Sequence, residues 1–216
     1  MDFETTMIFL ANRSYLYNLL ARGYAGEADE AFLQTLVQEH ARQEISLVEH
    51  ELNSDILDAY DKTLEALGDE GACERIRREY VKIFVGPGTL KARPWETIHL
   101  EESRALFQPE LLPIRETYRE AGFLPARYPH VQDDFIGLEL DFLAKLANAA
   151  LEAWESGHDA EANERLRQSR EFLEKHLLRW IDSLADAIIA EYGDCFFARF
   201  TRLASLVAHR DYELLA

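Results

Sequence analysis

Of the four acids in "QDDFIGLELDF", three could do chemistry together: Asp133, Asp134 and Glu139. Adjacent or near-adjacent carboxylates can divide acid and base roles when their surroundings push their pKa values apart. Their sequence context favours plainer work for two of them. Asp133 and Asp134 precede a long periodic segment, where a carboxylate complements the helix dipole and caps free N–H groups. Glu139 is different. On a wheel at about 100° per residue, Leu138, Phe142, Leu146, Phe135, Leu143, Ala147, Leu140 and Trp154 fill a wide apolar arc, with Glu139 near its middle. Asp134, Asp141, Lys145, Asn148 and Glu152 fall on the opposite side. A carboxylate in such a stripe needs partners or a proton. It either braces a neighbouring element from inside or holds a ligand.

Other chemistry finds little support. The seven histidines form no HExxH, and Glu155-x-x-His158 is interrupted by Gly157, so a carboxylate-bridged metal pair on continuous helices is not expected. His40 and Glu44 share a helix face, as a surface charge pair would. Cys73 and Cys195 form no CxxC, which implies neither a metal site nor a disulfide framework. There is no GxSxG nucleophile elbow. "GPGTLKARPWETIHL", residues 86–100, concentrates glycine, proline and tryptophan in one loop. Without a following Gly-Lys-Ser/Thr it is no phosphate-binding loop. A binding surface survives this elimination better than a reaction centre. No metal and no cofactor are expected.

These residues must be held by helices. All 6 prolines fall between positions 87 and 129, leaving long segments on both sides free of that breaker. The pattern predicts helices at about 4–22, 29–42, 53–67, 72–85, 109–121, 132–156, 160–191 and 195–210, with helix starts also marked at Ser103 and at Gln108-Pro109. The fold class is all-α. A chain of 216 residues can bury a substantial core, here read as one domain over residues 1–216. The 40 acids against 23 bases give a net charge of −17; such a field repels nucleic acid and anionic membranes and attracts a cationic partner. The amino-terminal stretch lacks the basic region of a secretory signal, and no run is long enough to span a bilayer, so a cytoplasmic location is expected.

"EYVKIFVGPGTLKARPWETIHLEESRALF", followed about thirty residues later by "PHVQDDFIGLELDFLAKLA", resembles the TorD/DmsD family, and "NRSYLYNLLARGY" near the start extends the likeness. The resemblance implies an irregular all-α bundle and a cytoplasmic maturation chaperone. Such a chaperone binds the twin-arginine signal peptide and catalytic subunit of a molybdopterin oxidoreductase and delays export until its cofactor is in place. In the DmsD-like branch an aromatic residue, a phenylalanine four positions on and a Pro-Trp ten beyond line the proposed leader site. Those positions are Tyr80, Phe84, Pro94 and Trp95. The family's Asp-His pair reads Asp134-Phe135 here, ahead of Leu138-Glu139-Leu140; a polar ring is therefore absent at that place. Asp134, Phe135 and Glu139 complete the implied peptide site. Family members occur as monomers and as domain-swapped dimers.

Aromatic faces beside carboxylates suit an arginine-bearing peptide, because guanidinium both stacks on rings and pairs with carboxylates. The same aromatics could instead fill the core. An acid–base enzyme centred on Glu139 with Asp133 or Asp134, and a helical adaptor for a folded partner, are the competing functional readings.

Overall fold

The computed structural model describes residues 3–49, 55–68, 70–86, 90–100, 111–124 and 131–216. Their order is α1 (Phe3–Tyr24), α2 (Glu30–Leu36), α3 (Glu39–Leu47), α4 (Asp55–Glu65), α5 (Ala72–Tyr80), α6 (Glu96–His99), α7 (Leu111–Glu120), α8 (Ile136–Glu155), α9 (Asp159–Lys175), α10 (Ile181–Tyr192) and α11 (Phe196–Leu214). The protein is all-α, as expected. The only β-type pairing among the described residues joins Trp95 to Phe135.

α8 packs against α1 and α9, and α11 against α4 and α10. The apolar arc of α8 explains its central position: Ile136, Leu140, Phe142, Leu143 and Ala147 have no exposure. Each fully buried leucine or phenylalanine contributes roughly 1.5–3 kcal/mol relative to an exposed one. α1 is tied to α11 by a buried polar set. Arg13 grips Asp211 through Nε and Nη2 at 2.6 and 3.0 Å, and the Tyr17 hydroxyl donates to the same carboxylate at 2.7 Å.

Four expected boundaries moved, each for a local reason. The helix predicted at 29–42 divides, with Asp29 capping α2 by accepting from the Phe32 N–H at 2.6 Å and the chain restarting at Glu39. The 72–85 helix loosens after Tyr80 into a π-turn over Val81–Val85. Its closing bond runs from the Gly86 N–H to the Val81 carbonyl at 2.7 Å, and Gly86 takes the left-handed φ of 81° that ends it. The 160–191 helix breaks at His176 into a short 3-10 turn, Leu177–Arg179. The 132–156 helix starts only at Ile136, because Asp133 and Asp134 form a turn and Phe135 is extended. α7 begins at Leu111 with Pro113 in its first turn, where a missing N–H breaks no helical bond. Pro87, Gly88 and the expected starts at Ser103 and Gln108-Pro109 lie outside the described residues.

Candidate functional site

The loop ahead of α6 and the segment ahead of α8 form one short antiparallel contact. The Ile136 N–H donates to the Pro94 carbonyl at 3.2 Å and the Glu96 N–H to the Asp134 carbonyl at 3.0 Å, setting Trp95 opposite Phe135. Approach to this contact is strained: Arg93 has a φ of 44°, a conformation costing a non-glycine residue roughly 1–2 kcal/mol. His99 holds the turn. Its Nε2 lies 3.1 and 2.9 Å from the Ala92 and Arg93 carbonyls, so that nitrogen carries the hydrogen, since carbonyls only accept. Nδ1 lies 3.0 Å from Ser183 Oγ.

Asp134 corrects the wheel. It was placed on the polar side of a helix, yet it is completely buried, because it precedes α8 in a turn that the Phe135 N–H closes onto the Gln132 carbonyl at 3.1 Å. Its carboxylate caps α6 across the contact, accepting from the Thr97 N–H at 3.1 Å and from Thr97 Oγ1 at 2.6 Å. α8 itself has no side-chain cap at Phe135. Asp133 is buried and paired with Arg115, whose Nε and Nη2 approach Oδ2 to 2.7 and 2.6 Å. The Tyr118 hydroxyl donates to the Asp133 carbonyl at 2.9 Å.

Glu139 does brace a neighbour from inside. With no exposure, it accepts from Trp180 Nε1 at 3.1 Å through Oε2. Glu96 lies nearby, buried, with His176 Nδ1 at 3.0 Å. Asp134 Oδ1 and Glu139 Oε1 have no hydrogen-bond partner. Burial pushes the Glu139 carboxyl well above its ordinary pKa and the Glu96 carboxylate adds to this, while the Trp180 N–H opposes it. Burial also raises Asp134, against the bonds from Thr97 and with a further push from Glu96. Burial and the surrounding acids, Glu139 first among them, raise the Tyr118 hydroxyl as well.

Tyr80 and Phe84 are core residues at their own positions, each 7% exposed. Their rings meet at 5.3 Å, and Phe84 also meets Tyr24, Phe197 and, edge-on at 6.5 Å, Phe135. The Tyr80 hydroxyl donates to the Tyr24 carbonyl at 3.2 Å. Pro94 is buried too, whereas Trp95 and Phe135 are half-buried and reach the surface. Gly137 is required here: a Cβ on it would lie 2.6 Å from Phe135 Cε1 and 3.0 Å from Tyr24 Cβ.

The structure thus joins all seven implied site residues into one region, through the Trp95–Phe135 pairing, the Phe84–Phe135 ring contact and the carboxylates beneath. Glu96, Thr97, His176 and Trp180 were not found by sequence reasoning. Their only signal was the demand for a donor made by a carboxylate on an apolar face. A cleft of about 480 Å³ beside Gly86 is a poor phosphate site. Its Arg78 is paired with Glu74, and Arg77 Nε is bonded to the Ala28 carbonyl. Among the described residues no three His, Cys, Asp or Glu side chains are arranged to hold a metal ion, and no helix is long and apolar enough to cross a membrane.

Known proteins resemble this chain. The Tat proofreading chaperone DmsD of Salmonella typhimurium is 26% identical over 166 residues, covering 74% of each chain. The Salmonella typhi protein of the same name matches equally. A probable Tat proofreading chaperone DmsD from Haemophilus influenzae is 26% identical over 119 residues, 55% of this chain and 51% of its own. The sequence profile described as nitrate reductase delta subunit matches residues 49–186, a span that includes every residue of the site. The chain therefore belongs to the nitrate reductase delta subunit family, the TorD/DmsD group of chaperones.

Proposed function

We propose that the chain is a redox-enzyme maturation chaperone that works in the cytoplasm as a binding protein rather than an enzyme. It binds the twin-arginine leader and immature catalytic subunit of a molybdopterin oxidoreductase and delays export until the cofactor is inserted. The relatives named as Tat proofreading chaperones support the leader as ligand. The observation that carries the reading is the pairing of two half-buried aromatics, Trp95 and Phe135, each adjoining a buried carboxylate in the chain, Glu96 and Asp134. Rings at the surface can stack on guanidinium and on apolar leader side chains, and the acids behind them favour positive charge. An acid–base enzyme is less well supported, because Glu139 is fully buried and already accepts from Trp180.

Trp95→Ala is the direct test. Loss of an aromatic anchor near the middle of an interface should weaken leader binding by about 1–3 kcal/mol, with little change in the thermal midpoint. Core truncation of a tryptophan instead costs about 3–5 kcal/mol of stability. That outcome, with normal binding by the folded fraction, would assign Trp95 to packing alone.

A further inference from the structure

Glu96, Asp134 and Glu139 are 6, 0 and 0% exposed, and the groups facing them are few. Thr97 of α6 donates two bonds to Asp134, His176 at the end of α9 faces Glu96, and Trp180 donates to Glu139. From α7, Tyr118 donates to the Asp133 carbonyl and Arg115 is paired with the Asp133 carboxylate. His99 of α6 stacks on Trp180 at 5.3 Å but spends both ring nitrogens elsewhere. Among the described residues no lysine or arginine pairs with Glu96, Asp134 or Glu139, and Asp134 Oδ1 and Glu139 Oε1 accept nothing.

Three ionised carboxylates confined here would repel one another in a medium that screens weakly, and among the described residues the one basic side chain bonded to any of them is His176, on Glu96. Three carboxylates against one histidine leave the set two positive charges short among the described residues. Keeping a proton on one member halves the deficit, and Glu139 is suited to hold it: fully buried, with an indole N–H on one oxygen and nothing on the other. An arginine supplies one of the missing charges.

We propose that the cluster exchanges a proton for its ligand: Glu139 is a carboxylic acid in the free protein and ionises when a leader arginine docks against Trp95 and Phe135. The inference rests on the leader-binding reading above and adds its regulation. The guanidinium keeps all its hydrogens. The O–H bond of Glu139 breaks, its electron pair stays on the carboxylate, and the proton passes to bulk water. One cation enters as one proton leaves, so the net charge of the set is unchanged. A neutral peptide brings no cation and leaves the proton in place. Because the complex holds fewer protons than its separated components, leader binding tightens as pH rises while free Glu139 is protonated, by at most about tenfold per pH unit.

The test is calorimetric titration of the full chain with a synthetic peptide carrying two adjacent arginines and an apolar stretch. It is run at one pH in phosphate and in Tris, whose ionisation heats differ. The heats should differ by the release of on the order of one proton per peptide. The same peptide with both arginines replaced by glutamine should release none in whatever binding remains, a control that needs no protein variant. Glu139→Gln keeps an acceptor for Trp180, and should bind the twin-arginine peptide with no proton released. Binding with equal heats in the two buffers overturns proton exchange while leaving leader recognition standing. Release that persists in folded Glu139→Gln overturns the assignment to Glu139. Absence of binding in both buffers removes leader recognition, and proton exchange with it.

Discussion

Glu139 carries the clearest consequence at the scale of single residues. Burial and Glu96 hold its carboxyl well above the ordinary value of 4.5, so over the interval between the two pKa values the folded chain keeps a proton that the unfolded chain has lost. Its contribution to stability is therefore fully present below the ordinary value and is lost as pH rises through the folded value, at up to about 1.4 kcal/mol per pH unit. Glu139→Gln removes that loss. Chemical denaturation across pH should show the variant gaining on the wild type as pH increases; parallel curves would contradict a raised Glu139. Asp134→Asn separates cap from charge. Asparagine retains an acceptor for the Thr97 N–H and hydroxyl, so stability should change by less than about 1 kcal/mol, while leader affinity falls with the lost charge. Unchanged affinity would leave Asp134 a cap only.

At the scale of elements, the site depends on close approach between α8 and α1. Gly137→Ala should destabilise the fold by about 1–3 kcal/mol, outweighing the helix propensity gained, because the new Cβ meets Phe135 and the Tyr24 Cβ. Displacement of Phe135 should lower leader affinity in the same variant, and wild-type stability and binding would show that the contact relaxes freely. These elements were unevenly legible. The apolar stripe of α8 was visible because its burial follows helical period. The break at His176 was not, since "KHLLRW" contains no glycine or proline. There the chain departs from helix where tertiary partners take over, His176 facing Glu96 and Trp180 donating to Glu139. Asp134 was misplaced for a related reason: a wheel assigns sides only within a helix, and the turn ahead of α8 is tied by pairing with residues 94–96. The buried acid at Glu139 could be read as requiring a partner, but one sequence does not say which distant donor supplies it.

For the whole molecule, the dominant property is charge. Of the net −17, residues 1–70 contribute −11, from 15 acids and 4 bases, so the field extends well beyond the buried cluster. Such a field raises the encounter rate of a cationic leader and is screened over about 8 Å at physiological salt, whereas stacking on Trp95 and apolar contacts are screened much less. On the proposed reading, positive charge alone is only part of what the site recognises, because lysine lacks the planar fork that stacks on rings and grips carboxylates in pairs. The decisive measurement is leader affinity for peptides bearing Arg-Arg, Lys-Lys or Gln-Gln at the same two positions, each at low and at physiological salt. Affinity should fall in that order, with the loss from Arg-Arg to Gln-Gln exceeding the loss to Lys-Lys, and salt should weaken the Arg-Arg peptide more than the Gln-Gln peptide. Equal affinities for the three peptides, with no dependence on salt, would contradict recognition of a twin-arginine leader at this site.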